Sequence, residues 1–285
     1  FSGSNNFFQG LRGIPGLANL KSDSATLGTL RNTSNLNLEK NNLFNYPWTV
    51  RLQSNFQWNE SSFRDLQSDI GLGAQDNEDS TYQYGIKLVS ENLLGKNHRF
   101  TELLSYSGEH FHPHDRVNPG SSGPTSYRHR IAAGIEDEIS FFKSRLLVSP
   151  SVRTELAVNN SSDQSLSTDY NISGKLGTEW NIINNLKMSG HVSRSYRLPN
   201  FYELFGDRGT FIGNPQLENE SSTNFDIGLI YPHKFQNVKI NTSLVYFENR
   251  ISNLIQMQQT SQLTVRAANI GKATIRGVEL SANLD

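Results

Sequence analysis

The chain has 285 residues, with 26 Lys and Arg against 27 Asp and Glu, a net charge of −1, and no Cys. That balance excludes a nucleic-acid surface built on bulk positive charge, and the missing thiols exclude disulfides, Cys metal sites and thiolate chemistry. No apolar run approaches the ~18 residues of a spanning helix and no signal peptide opens the chain, so hydropathy alone reads as soluble. A transmembrane β-barrel escapes that test, because its strands alternate and its average stays polar.

Period-two alternation predicts strands over 26–39, 48–64, 82–93, 98–111, 126–141, 145–158, 168–181, 186–196, 221–231, 238–257 and 262–284, eleven in all. Over 48–58, Trp48, Val50, Leu52, Phe56 and Trp58 share one face, with Ser54 the exception; Thr49, Arg51, Gln53, Asn55 and Gln57 share the other. Residues 82–89, 145–158 and 169–180 repeat the pattern. Residues 126–141 fit less well. Tyr127, Ile131, Ile135, Ile139 and Phe141 share a face with His129 and Asp137, and a carboxylate there requires the membrane interface or the rim. The polar faces carry Arg51, Lys87, Arg99, Arg128, Arg130, Arg153, Glu155, Lys175 and Glu179, which fit either contact with a plug or a solvated wall.

The connections separate a membrane barrel from a soluble sandwich. Short links at 40–47, 94–97, 142–144, 182–185 and 232–237 mostly alternate with longer polar links at 65–81, 112–125, 159–167, 197–220 and near 258–261. Many strands exceed the ~9–11 residues that cross a bilayer, whereas sandwich strands run ~5–6. Trp48, Phe100, Phe141, Trp180 and Tyr231 fall near the short-link ends, and Tyr82, Tyr127, Tyr170 and Tyr196 near the long-link ends, as two interfacial girdles would. The fold expected is all-β, an antiparallel transmembrane barrel. Eleven strands leave an open edge, which cannot face lipid. A piece of a larger barrel is expected, with a complete twelve-stranded barrel as the alternative.

The longest link carries the most specific residues. The run SRSYRLPNFYELFG…GNPQLENE (193–206 and 213–220) holds Arg197, Pro199, Glu203, Leu204, Gly213, Asn214, Pro215, Leu217 and Glu220. A second run, NIGKATIRGVELSANLD (269–285), follows the strand-like ENRISNLIQ (248–256) and holds Asn269, Gly271, Ala273, Gly277, Val278 and Glu279. Together these resemble two ordered segments of TonB-dependent outer-membrane receptors, the first with Arg-x-Pro, Glu-Leu and Gly-Asn-Pro-x-Leu-x-x-Glu, the second with Asn-x-Gly-x-Ala-x-x-x-Gly-Val-Glu. The motifs span roughly 190–285, and the ending is similar to receptors of the cobalamin and colicin-receptor type. The resemblance implies a 22-stranded barrel around an N-terminal plug and an outer-membrane location. It also implies TonB-energised import of a scarce small molecule, such as a ferric siderophore or cobalamin. Neither a plug, a TonB box nor a closing strand is expected within 1–285.

Physical reading of the link agrees. Pro199 fixes φ, lacks a ladder donor and holds Leu198 extended, which suits a strand exit. Gly206, Gly209 and Gly213 permit positive φ, and Asn214-Pro215 reads as a turn. Glu203 and Glu220 are expected to accept hydrogen bonds from loop backbone or from Arg197 and Arg208. The main expectation is a folded rim that shapes a vestibule. Tyr202, Phe205 and Phe211 are the candidates for ligand contact.

His110, His112 and His114, flanked by Glu109 and Asp115, recur at every second residue and are candidate ligands for a divalent metal or haem iron. Strand register sends His110 and His112 to the apolar side, which favours a wet loop above the girdle instead. Haem receptors of the resembled family usually carry a His between Arg-x-Pro and Asn-Pro-x-Leu; none lies between Arg197 and Glu220. His191 falls on a polar face and is expected to hydrogen-bond in the lumen. No Gly-x-Ser-x-Gly elbow, phosphate loop or dinucleotide fingerprint occurs, so an enzyme is not expected and no cofactor is implied. A passive porin, a barrel enzyme and a soluble adhesive β-domain stand as the competing readings.

Overall fold

A computed structural model describes residues 1–14, 22–70, 73–162, 164–183, 185–206, 211–235, 238–261 and 264–284. In chain order the strands begin with β1 (Ser2–Gly13), β2 (Thr26–Lys40), β3 (Trp48–Asp65), β4 (Gln75–Leu94) and β5 (His98–Asp115). Next come β6 (Ser126–Phe141), β7 (Leu146–Ser161), β8 (Gln164–Ile183), β9 (Leu186–Arg197) and the helix α1 (Phe201–Phe205). The chain continues through β10 (Phe211–Ile212), β11 (Glu220–Phe235), β12 (Val238–Ser252), β13 (Ile255–Gln259), β14 (Val265–Asn269) and β15 (Lys272–Leu284). Twelve strands form one sheet in the order β1-β2-β3-β4-β5-β6-β7-β8-β9-β11-β12-β15, each antiparallel to its neighbours. The other three, β10, β14 and β13, form a small second sheet.

The strand count of the large sheet differs from expectation by β1. Adjacent Phe7 and Phe8 and the glycines at 3 and 10 blur its alternation, so pairing with β2 from Ser2↔Asn37 to Gly13↔Thr26 makes it a strand. The sheet order is open. Among the described residues β1 pairs only with β2 and β15 only with β12, so the twelve strands are not the closed barrel of the alternative reading. The expected strands 238–257 and 262–284 each break once. Asn253 (φ 55°) turns the chain out of the large sheet after β12, and Gly271 (φ 97°) turns it back before β15. Three long links prove shorter than expected, and the shortest is 159–167, where β7 and β8 pair as far as Ser161↔Gln164. Polar residues 75–81 extend β4 and pair with the end of β5, from Asn77↔Asp115 to Thr81↔Phe111. Pro113 fits there because β6 pairing has stopped at Phe111↔Ser126, leaving one side of β5 already unpaired.

Two cross-strand rows at one height show the two faces. Thr33, Gln57, Gln83, Glu109, Arg128 and Asn159 are successive partners on the inner face. One residue away, on the outer face, Trp58 stacks on Tyr82 at 6.5 Å, Tyr82 meets His110 at 6.1 Å, and His110 stacks on Tyr127 at 4.2 Å. That is an aromatic girdle at the long-link end. Trp48 lies ten residues from Trp58 along β3. This is about 33 Å of strand, or roughly 25 Å of height at a ~40° tilt, which matches the apolar band of an outer-membrane barrel. Between the girdles the outer face exposes Phe56, Tyr84, Ile86, Leu88, Leu104, Ile131 and Ile135, a surface made for lipid. Asp137 lies at the opposite end, where its Oδ2 sits 2.8 Å from His98 Nδ1, so the misfit carboxylate is at the rim and paired.

Candidate functional site, a loop knot on the inner wall

A barrel wall has lipid on one side and its own interior on the other, so it builds little core. The hydrophobic core cluster among the described residues instead lies in the connections: Phe211, Ile255 and Ala267, with Leu217 and Val265 packed against them. Two connections build it. The first is 198–219, between β9 and β11; the second is 253–271, between β12 and β15. β10 pairs in parallel with β14, and β14 in antiparallel with β13, which joins the two into one unit.

The first connection starts at Pro199, where the ladder ends and the chain bends inward. Asn200 caps α1. Its Oδ1 accepts from Glu203 N at 2.8 Å, and its own N–H donates to Glu203 Oε2 at 2.8 Å, a reciprocal capping box. Arg197 then donates to both Glu203 Oε2 (3.0 Å) and Glu220 Oε2 (3.1 Å), tying the two ends of the link together. Glu220 also accepts from Ile255 N at 3.2 Å. Both carboxylates behave as expected, while Arg208 and Gly209 lie outside the described residues.

α1 faces the wall. Phe201 and Phe205 pack on Phe111 of β5 at ring distances of 5.8 and 6.0 Å. Arg128 of β6 is 4% exposed, so its charge needs partners. It donates to Asn159 Oδ1 (2.6 Å) and to the Pro199 carbonyl (2.8 Å), and its guanidinium lies 4.8 Å over the Phe201 ring. Glu109 Oε2 stands 4.0 Å away. Asn219 adds a second tie by donating to Asp169 Oδ1 of β8 at 3.1 Å.

The glycines work differently from one another. Gly206 has φ 72°, as a positive-φ cap should. Gly213 does not owe its place to positive φ. A Cβ there would meet Phe205 C at 2.3 Å and Leu204 O at 2.5 Å, so Gly213 permits backbone to lie against α1. Asn214 N donates to Glu203 O at 2.9 Å across this contact. Asn214 and Pro215 do form the expected turn, with Gln216 N donating to Asn214 Oδ1 at 3.2 Å and Leu217 N to Asn214 O at 3.2 Å.

The second motif locks onto the first. Asn269 Oδ1 accepts from Glu218 N at 2.9 Å, and its Nδ2 donates to Glu218 O at 3.1 Å and Asn253 O at 2.7 Å. Asn214 Nδ2 donates to Ala267 O at 3.0 Å in the other direction. The two sequence runs are therefore two halves of one hydrogen-bonded knot. Among the described residues Gly277 and Glu279 take no part in it. Gly277 instead leaves room for the Phe247 ring, whose Cζ would lie 2.9 Å from an added Cβ.

Of the three aromatics singled out for ligand contact, Phe211 is 3% exposed and belongs to the core; Tyr202 covers it at a ring distance of 4.3 Å. Phe205 faces Phe111. Tyr202, 47% exposed, presents the most surface. Two clefts flank α1. One, of about 570 Å³, lies between α1 and the walls of β2–β5. The other, of about 400 Å³, lies between β6–β8 and the 215–219 segment. Both fall within the volume range of ligand pockets.

The histidine triplet does something else. His110 belongs to the outer girdle, and His112 Nδ1 lies 3.1 Å from Thr125 Oγ1. Among the described residues no group of three or more His, Asp or Glu is placed to hold a metal ion. A polar residue in an aromatic row was legible from register alone, since His110 falls in step with Tyr106 and Leu104. His191 does face the lumen, where its Nδ1 pairs with Asp226.

Comparison with known proteins agrees with this geometry. Residues 2–285 match the family described as TonB dependent receptor-like, beta-barrel. A stretch of 124 residues is 27% identical to the vitamin B12 transporter BtuB of Photobacterium profundum, covering 42% of this chain and 19% of that one. The fold superposes on the FrpB iron transporter from Neisseria meningitidis (F5-1 variant) with a TM-score of 0.74 and 14% identity, over 98% of this chain and 47% of that one. It superposes on the copper transporter OprC with a TM-score of 0.70 and 14% identity, over 90% and 46%. The chain thus spans less than half the length of these proteins. An open all-β sheet with lipid-facing girdles, a knotted inward loop and a family match over nearly every residue lead to one conclusion: the chain belongs to the TonB-dependent receptor β-barrel family, proteins of the Gram-negative outer membrane.

Proposed function

We propose that this chain is the barrel segment of a receptor that imports a scarce nutrient, an iron complex or cobalamin, with energy delivered by TonB through a plug encoded elsewhere in the same protein. The observation that carries the reading is the knot. It folds α1 inward onto Phe111 and Arg128 and leaves clefts on both sides, an arrangement that narrows the lumen mouth and presents side chains to an entering ligand. The open sheet edges and the length of the related proteins support a segment of a larger barrel. The proteins it resembles are transporters, which supports a receptor over an enzyme. Tyr202 is the aromatic residue we assign to ligand contact.

The test is uptake by cells with the full gene intact or disrupted, offered labelled ferric siderophores, haem and cobalamin, with and without a protonophore. Saturable uptake lost on both disruption and de-energising is expected. Uptake that ignores the protonophore would make the protein a passive pore.

A further inference from the structure

The clefts beside α1 differ from an anion trap. Among the described residues their charged lining consists of Arg31 and Arg128 against Asp79, Glu109, Asp169 and Glu218. Arg128 is buried within the wall, while Arg31 is exposed but hydrogen-bonded to the wall. Arg128 is held by Asn159 and the Pro199 carbonyl, and Arg31 donates from Nε to Asn59 Oδ1 at 3.3 Å. Arg197, the next cation along the knot, is tied to Glu203 and Glu220. Other rim cations face outward, where Arg64 and Arg116 pair with Asp76 and Glu78. The neutral lining of the larger cleft carries the amides Gln57, Asn59 and Gln83, the last donating from Nε2 to Glu109 Oε1 at 2.9 Å. An amide offers donors and an acceptor in one plane, which matches hydroxyl and amide groups on a ligand. Phe111, Phe201 and Tyr202 add aromatic surface to the same cleft.

We infer that these clefts select a ligand that is neutral or cationic and dense in hydroxyl or amide groups, and that they reject a polyanionic iron chelate. A polyanion would enter a concave, partly desolvated wall where carboxylates outnumber cations among the described residues, and the field there opposes it. A neutral ligand meets no such opposition and finds its hydrogen-bonding capacity matched. This inference rests on the reading that the chain lines the ligand path of an uptake receptor. It adds the charge class that the path accepts and the wall that enforces it.

The experiment uses the full-length receptor in its own cells and three labelled probes: cyanocobalamin, a neutral ferric trihydroxamate, and a triply anionic ferric tris-catecholate. Uptake of each is measured with the gene intact or disrupted, with and without a protonophore. Energised, gene-dependent uptake of a neutral probe and none of the tris-catecholate is expected. In the Gln57→Ala plus Asn59→Ala variant, apparent affinity for that probe should fall about tenfold, the loss of one to two hydrogen bonds, with heat-modifiable barrel migration unchanged. Energised uptake of the tris-catecholate would overturn the inference while leaving the receptor reading intact. Neutral uptake untouched by the double substitution would also overturn it, by moving selection elsewhere. If no probe showed energised, gene-dependent uptake, the receptor reading would fail and the inference with it.

Discussion

Replacing Gly213 by Ala adds one carbon, and the structure says where it lands. It would lie 2.3 Å from Phe205 C, 2.5 Å from Phe205 Cα and 2.5 Å from Leu204 O, all backbone atoms of α1. No rotamer change relieves that, so the strand or the helix must move. Forcing a methyl group into a packed contact costs about 1–3 kcal/mol, and a backbone contact belongs at the upper end. The other escape is to release α1, which gives up the burial of Phe201 and Phe211 at about 1.5–3 kcal/mol each. Strained packing is the cheaper route, so we expect a local cost of about 2–3 kcal/mol. That raises the open population of the knot roughly 30- to 150-fold. Hydrogen exchange on the full receptor should show this at residues 201–206 and 211–214, while strand amides of β4 to β8 keep their protection. Gly271→Ala is the control. Its φ is 97° and nothing lies within 4 Å of the added carbon, so only backbone strain of about 1 kcal/mol applies. Protection at 201–206 equal to that of the unmodified protein would refute the packing argument. So would an equal effect from Gly271→Ala.

Asn269→Ala removes three hydrogen bonds to Glu218 and Asn253, at about 0.5–1.5 kcal/mol each; faster amide exchange at Glu218, 51 residues away, is the expected sign that the motifs interlock. Arg128→Met keeps much of the contact with Phe201 but strips the donor from the Pro199 carbonyl, and should raise proteolysis at 198–206 without altering barrel migration. In the 66–70 link, hydrogen bonds from Ser24 hold the Asp69 carboxyl below its usual 3.8, with help from Asp23 and Ser22. A lowered carboxyl stabilises the folded link above the unfolded value and loses that effect as pH falls through the folded one. Amide protection at Asp23 and Ser24 should therefore hold at neutral pH and fall only in strong acid; loss near neutrality would contradict the assignment. Replacing His110, His112 and His114 together by Ala should leave nutrient uptake unchanged, because no metal cage forms among the described residues there, and a selective loss of metal uptake would restore one.

Much of the barrel was legible before any coordinate. Period-two alternation is a local property, and it survives because lipid demands an apolar face at every second residue. It placed Trp58, Tyr82 and Tyr127 outward, Gln57 and Arg128 inward, and His191 in the lumen. Pro199 announced the strand exit, and the motif residues announced the family. Where lipid makes no demand, the pattern stops. Polar residues 75–81 and the glycine-broken β1 became strands only through partners already in place beside them.

The knot needed the tertiary structure for the same reason. Asn269 meets Glu218, Asn214 meets Ala267, and Arg128 meets Pro199 across separations of 51, 53 and 71 residues. Hydrogen bonds over such distances leave no periodicity for a sequence to display. Sequence singled out Gly213 but assigned it the wrong cause, since a steric gap between two backbones exists only once both are placed. By itself the chain determined which faces meet lipid and which family it joins, because both are written residue by residue. The inward fold of α1 onto Phe111, and the charge of the clefts beside it, were decided only when strands distant in sequence came side by side.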